Sequence, residues 1–71
     1  MRTVMTYGTY DIFHYGHVRL LERARALGDR LVVVLSTDEY IEESKGQRPF
    51  FNYAERKTVL ESLKCVDKVV V

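Results

Sequence analysis

At 71 residues the chain amounts to one small domain at most, able to bury only about 60% of the surface its unfolded form exposes. Apolar residues make up 46% and charged residues 30%, with a formal net charge of +1; this balance excludes a disordered tail and gives no electrostatic reason to expect nucleic-acid binding. A single cysteine, Cys65, excludes an internal disulfide, and no apolar run reaches the ~18 residues of a membrane span, so a cytoplasmic location is expected.

Residues 3–7 are rich in β-formers and end at Gly8, which predicts a first strand. Val18, Leu20, Leu21, Ala24 and Leu27 then recur at helical spacing while Arg19, Glu22, Arg23 and Arg25 fall elsewhere, and Gly28 marks the stop: an amphipathic helix of roughly three turns. Residues 30–36 form a nearly continuous apolar run, the pattern of a strand covered on both faces in a parallel sheet. A short helical turn is expected at Asp38-Glu39-Tyr40-Ile41, followed by loop from Glu42 to Pro49, punctuated by Gly46 and Pro49. Asn52 followed by Glu55 resembles a capping box, and Val59, Leu60 and Leu63 supply the apolar stripe of a second helix. Asp67 opens a third strand that runs to Val71.

Alternating strands and helices predict an α/β fold of Rossmann type, in the order β-α-β-α-β, with right-handed crossovers and a parallel sheet. With the strands side by side as 3-2-1, both crossover helices fall on one face. The other face is then bare apolar surface, and the first strand has an unpaired edge that a fourth could extend.

Ligands of open parallel sheets sit at the carboxyl ends of the strands, and the chemically suggestive residues gather in the loops that leave the first two. Gly8 permits close backbone approach, Thr9 and Tyr10 follow with free amide donors, and His14 to His17 open the first helix, whose orphan amides and positive dipole end favour an anion. His14 and His17, three apart, would share a face of its first turn, with Gly16 leaving room for phosphate. An exposed surface pair, two satisfied core histidines and a zinc site each fit the same spacing, although zinc would need further ligands and only Asp11 and Cys65 offer themselves. Asp11 is as well suited to capping a loop or helix. Arg56 continues the packed stripe of the second helix, either with its head reaching the crevice or paired with a nearby acid. Lys45 and Arg48 form either a mobile cationic flap or ordinary solvated loop charges.

Read as one string, Tyr7-Gly8-Thr9-Tyr10-Asp11-Ile12-Phe13-His14-Tyr15-Gly16-His17, with Leu20 to Ala24, Ser36-Thr37-Asp38-Glu39, Asn52 to Lys57 and Val66 to Val70, resembles the cytidylyltransferase family of nucleotidyltransferases. The resemblance runs through essentially the whole chain. It implies transfer of a cytidylyl group from CTP to a phosphorylated alcohol, glycerol 3-phosphate first among them, with pyrophosphate released and Mg²⁺ accompanying the triphosphate. It further implies that His14 and His17 contact the triphosphate as catalytic groups, that Gly8, Thr9, Tyr10, Asp11 and Gly16 lie along it, that Lys45 and Arg56 serve the phosphate-bearing substrates, and that the protein is a homodimer with Ser36 to Glu39 near the contact. Residues 1–71 correspond to the amino-terminal half of such a domain, without the family's second half and its Arg-Thr-x-Gly-Ile-Ser-Thr-like motif. Base choice is therefore not encoded here, which keeps adenylyl transfer, and an inactive phosphate-binding module, as alternatives.

Overall fold

The computed structural model describes all 71 residues, Met1–Val71. Strand β1 (Thr3–Gly8) leads into helix α1 (Tyr15–Ala26), strand β2 (Arg30–Leu35), helices α2 (Asp38–Lys45) and α3 (Tyr53–Glu61), and strand β3 (Lys68–Val70). The sheet is parallel throughout in the order β1-β2-β3, with Val4 opposite Leu31 and Tyr7 opposite Val34, and with Val33 opposite Val69. That is the order expected from the sequence.

Register sorts the side chains of this sheet, because partners in a ladder point to the same face and neighbours along a strand to opposite ones. Leu31, Val33, Leu35 and Val69 belong to one face and form a single buried cluster with Leu21 and Ala24 of α1, Leu60 of α3 and Tyr10. Both crossover helices therefore cover the same face. On the other, Met5 and Tyr7 are 50% and 72% exposed, whereas Val32 is 9% exposed. The bare surface is thus concentrated on the edge strand β1; Val32 is flanked in register by Met5 and Lys68, side chains that shield a central strand but not its outer neighbour.

The amphipathic patterns hold in part. In α1 only Leu21 and Ala24 are buried, and Leu20 and Leu27 are exposed: a 12-residue helix resting on β1 and β2 touches them along a narrow stripe. Val59, expected in the packed stripe of α3, is exposed as well. The capping box at Asn52 and Glu55 forms as predicted, Asn52 Oδ1 accepting from the Glu55 amide and Glu55 Oε1 from the Asn52 amide.

The clearest correction concerns residues 42–45, expected as loop and found as the second half of α2. Thr37 caps the helix by accepting from the Tyr40 amide, Asp38 and Glu39 lie at its positive end, Lys45 at its negative end, and Gly46, at φ +76°, terminates it with its amide on the Glu42 carbonyl. Each of these is a favourable end effect. Gly46 is the stop signal of this helix rather than the sign of a loop.

At the opposite edge, Gly28 sits where a Cβ would lie 2.7 Å from the Arg2 carbonyl oxygen and 2.8 Å from a Val4 methyl. Replacement of Gly28 by alanine should overpack this contact and lower stability by about 1–3 kcal/mol in urea unfolding; an unchanged midpoint would show that the chain crossing there is loose.

Candidate phosphate-binding site

The first turn of α1 is built around two imidazoles. His14 is the N-cap, in extended backbone conformation, and its Nδ1 accepts from the Gly16 amide at 3.0 Å; in return the His14 amide donates to Nδ1 of His17 at 3.2 Å. This is the reciprocal logic of a capping box, with histidines in the places usually taken by Ser or Thr and by Glu. A neutral imidazole that accepts at Nδ1 carries its proton on Nε2, so both rings are fixed as Nε2–H donors. No acidic residue occupies the first turn of α1, and the helix's own positive end is left uncompensated.

Gly16 has a role that the spacing alone did not reveal. A Cβ there would stand 2.8 Å from Cε1 and 3.1 Å from Nδ1 of His14, so the space that glycine leaves is taken by the capping ring itself rather than held open for a ligand. The rings of His14 and His17 are 4.1 Å apart between centroids, Phe13 stacks on His17 at 5.1 Å, and Tyr10 meets it edge-on at 5.5 Å. Burial, followed by the nearby His14, lowers the pKa of His17 below the ordinary histidine value.

Around this pair the remaining candidates act as ties. Arg56 is 2% exposed, and its guanidinium donates to the carbonyls of Phe51 at 3.0 Å, Thr9 at 2.9 Å and Ser36 at 2.8 Å and to Oδ1 of Asp38 at 2.7 Å. The head expected in the crevice is turned into the chain. It joins the loops that follow β1 and β2 to the entrance of α3, and of the two sequence alternatives the structure contains the ion pair, with Asp38 as the acid. Burial alone would raise the Asp38 carboxyl, yet the hydrogen bond and charge of Arg56, with Arg48 nearby, bring it below the usual carboxylate value. Asp11 likewise turns inward, accepting from the amides of Phe50 and Phe51 at 2.7 and 2.8 Å. The Thr9 and Tyr10 amides make no hydrogen bond within the chain, but the Tyr10 side chain is a core residue, 6% exposed.

Lys45 is an exposed residue in the last turn of α2, with no ion pair or hydrogen bond to the histidines. Arg48 is drawn to α2, 3.0 Å from Glu42 and 3.9 Å from Asp38, and so is not a free flap charge. A cleft of about 670 Å³ lies between the 10–13 loop and α3, lined by Phe13, Phe51, Ala54 and Val59 over Tyr10 and Arg56; the two histidines stand outside its lining. Asp38 is the site-supporting residue that sequence reasoning passed over. The signal available was an acid just past β2, at the same sheet edge as the apolar-stripe arginine.

A helix start with two Nε2–H donors and unopposed dipole charge suits an anion. The family model described as cytidylyltransferase-like matches residues 5–71. The chain belongs to the cytidylyltransferase-like family. Over 70 residues it is 51% identical to the glycerol-3-phosphate cytidylyltransferase of Staphylococcus aureus, covering 99% of this chain and 52% of that protein. It is 48% identical over 68 residues to an FAD synthase of Thermococcus sibiricus, covering 96% and 46% respectively. The solved structure of a lipopolysaccharide core biosynthesis protein from Thermoplasma volcanium superimposes with a TM-score of 0.91 at 37% identity, covering 99% of this chain and 57% of that one. The chain spans about half the length of these relatives.

The histidine box carries a definite pH signature. The unfolded chain binds a proton on His17 more readily than the folded one does, so stability should fall as pH drops below about 6.5, the ordinary histidine value; the Asp38 contribution, whose folded pKa is also lowered, persists down to about pH 4 and is lost below it. His17→Gln, whose amide oxygen can accept from the His14 amide, should flatten the neutral-to-pH 5 limb of the stability curve and leave the acid limb in place. A His17→Gln curve that follows wild type through that limb would contradict the assignment.

Proposed function

We propose that this chain supplies the triphosphate-holding half of an enzyme that transfers a cytidylyl group from CTP to a phosphorylated alcohol, with glycerol 3-phosphate the best-supported acceptor, and releases pyrophosphate. The observation that carries the proposal is the histidine capping box at the start of α1, in a chain whose family and glycerol-3-phosphate cytidylyltransferase relatives bear that activity in their names.

The chemistry asks little of a general base. A phosphate monoester with a second pKa of about 6 is already ionised at neutral pH, so its oxygen can attack the α-phosphorus of CTP directly. What the reaction needs is alignment and neutralisation of the charge that builds on the α-phosphate and the departing pyrophosphate. Donors fixed in place before the ligand arrives supply this without reorganising. In our reading His14 and His17 are those donors through Nε2–H, the amides of Thr9 and Tyr10 and the start of α1 line the phosphates, and Gly8 lets the chain approach them. Asp11 and Arg56 act from behind by holding the loops, and Lys45 serves the acceptor phosphate.

Mg²⁺ would come with the triphosphate and would help to neutralise its charge. No three His, Cys, Asp or Glu side chains of the chain converge, and both Asp11 oxygens already accept amides, so the residues present do not fit a resident ion. We further propose a cytoplasmic homodimer; no helix is long and apolar enough to cross a membrane.

The similarity to an FAD synthase supports adenylyl transfer as a second reading, and an inactive phosphate-binding module is a third. Pyrophosphate release assayed over a panel of nucleoside triphosphates and phosphorylated acceptors separates the three: release with CTP and glycerol 3-phosphate is expected, release with ATP alone supports the second, and none the third. In an active enzyme carrying this segment, His17→Ala should cost about 2.7–4 kcal/mol of transition-state stabilisation, seen as a fall in kcat of roughly 10²–10³. Near-normal kcat would remove His17 from the chemistry.

A further inference from the structure

We infer that Tyr10 is a positioning residue, whose buried ring fixes the imidazole of His17 so that Nδ1 caps α1 and Nε2–H is left for the ligand. The consequence for binding rests on the polyphosphate reading given above; the consequence for the His17 ring does not.

Tyr10 is the one non-glycine residue with positive φ, at +45°. The left-handed region crowds Cβ against the backbone, and tyrosine lacks the short polar side chain that lets Asn or Asp settle there. Such a conformation persists where the surroundings over-determine it. Here they do: the ring is 6% exposed within the core cluster, and its hydroxyl donates to Thr6 Oγ1 at 3.4 Å. The seat for the ring is cleared by Gly8, where a Cβ would stand 2.8 Å from Tyr10 Cε2. Burying this ring forces the turn, and a residue better suited to the turn would have no ring to bury.

The exposed consequence of that packing is at His17. Its imidazole meets the Tyr10 ring edge-on at 5.5 Å and 69°, carries Phe13 stacked at 5.1 Å and lies 4.1 Å from the ring of His14. A half-turn of the imidazole about its χ2 bond would exchange Nδ1 for Cδ2, breaking the bond from the His14 amide and redirecting Nε2–H. Three neighbouring rings oppose that half-turn, and Tyr10 is the one anchored in the core. Deleting its ring should free His17 to flip and leave the cap intermittent.

The experiment is nitrogen NMR of the His17 ring in the 71-residue chain, with inorganic pyrophosphate as the binding probe, for wild type, Tyr10→Phe, Tyr10→Leu and Gly8→Ala. Wild type and Tyr10→Phe should show one set of signals, Nδ1 unprotonated and Nε2 protonated. Tyr10→Leu, and Gly8→Ala, which displaces the ring without deleting it, should show averaged nitrogens and bind pyrophosphate about tenfold more weakly, the worth of one hydrogen bond to a charged group. Should Tyr10→Leu not fold, Gly8→Ala carries the test. A folded variant with a displaced or absent ring but wild-type His17 nitrogens overturns the inference. Wild-type chain that ignores pyrophosphate sinks the polyphosphate reading, while the His17 signals still decide the role of Tyr10.

Discussion

A guanidinium withdrawn from water must be given partners for its N–H groups, and Arg56 takes them from four places at once: the carbonyls of Thr9, Ser36 and Phe51 and the carboxylate of Asp38. These belong to the loops leaving β1 and β2, the entrance of α3 and the start of α2. The planar fork of arginine can serve all of them, whereas the three donors of a lysine on one nitrogen cannot reach so widely separated acceptors. At the carboxyl edge of the sheet these polar contacts add to the packing of a core cluster of eight buried residues. Asp11 makes the same kind of tie from the other side, seizing the amides of Phe50 and Phe51.

The candidate phosphate-binding turn hangs from this frame. Arg56 fixes Thr9, the buried ring of Tyr10 fixes the next residue, and His14 and His17 then close on each other across the first turn of α1. Capping the helix with imidazoles in place of hydroxyl and carboxylate has a chemical result: the start of the helix is satisfied without a negative charge that would repel an anion. Lowering of the His17 pKa keeps that ring neutral near pH 7, so the donor is an Nε2–H whose orientation is settled by the backbone.

Much of the fold was legible because local and long-range signals agree. The continuous apolar run of Leu31 to Leu35, the helical spacing of Leu21 and Ala24 and the Asn52–Glu55 box each have one structural solution, and a parallel sheet follows from their alternation. Residues 42–45 were misread because their helix is short and exposed, with only Ile41 buried in α2; its evidence lay in end effects at Thr37 and Gly46 rather than in periodicity. At the site, the sequence singled out residues 8–17, yet it could not tell a side chain free to face solvent from one facing the protein. Tyr10, Asp11 and Arg56 all turn inward through contacts 4 to 47 residues apart along the chain, and such partners become visible only when the topology is known. Gly16 shows the same limit on a smaller scale, since its missing side chain makes room for a neighbour two positions earlier.

Arg56 holds the site's loops together before any ligand arrives. The most direct test is equilibrium unfolding of Arg56→Met with no nucleotide or phosphate present. Leaving Asp38 and three carbonyls without their donor should cost about 3–5 kcal/mol, enough to unfold much of so small a domain. An unfolding curve superimposable on that of wild type would contradict the account and return Arg56 to the role of a ligand contact.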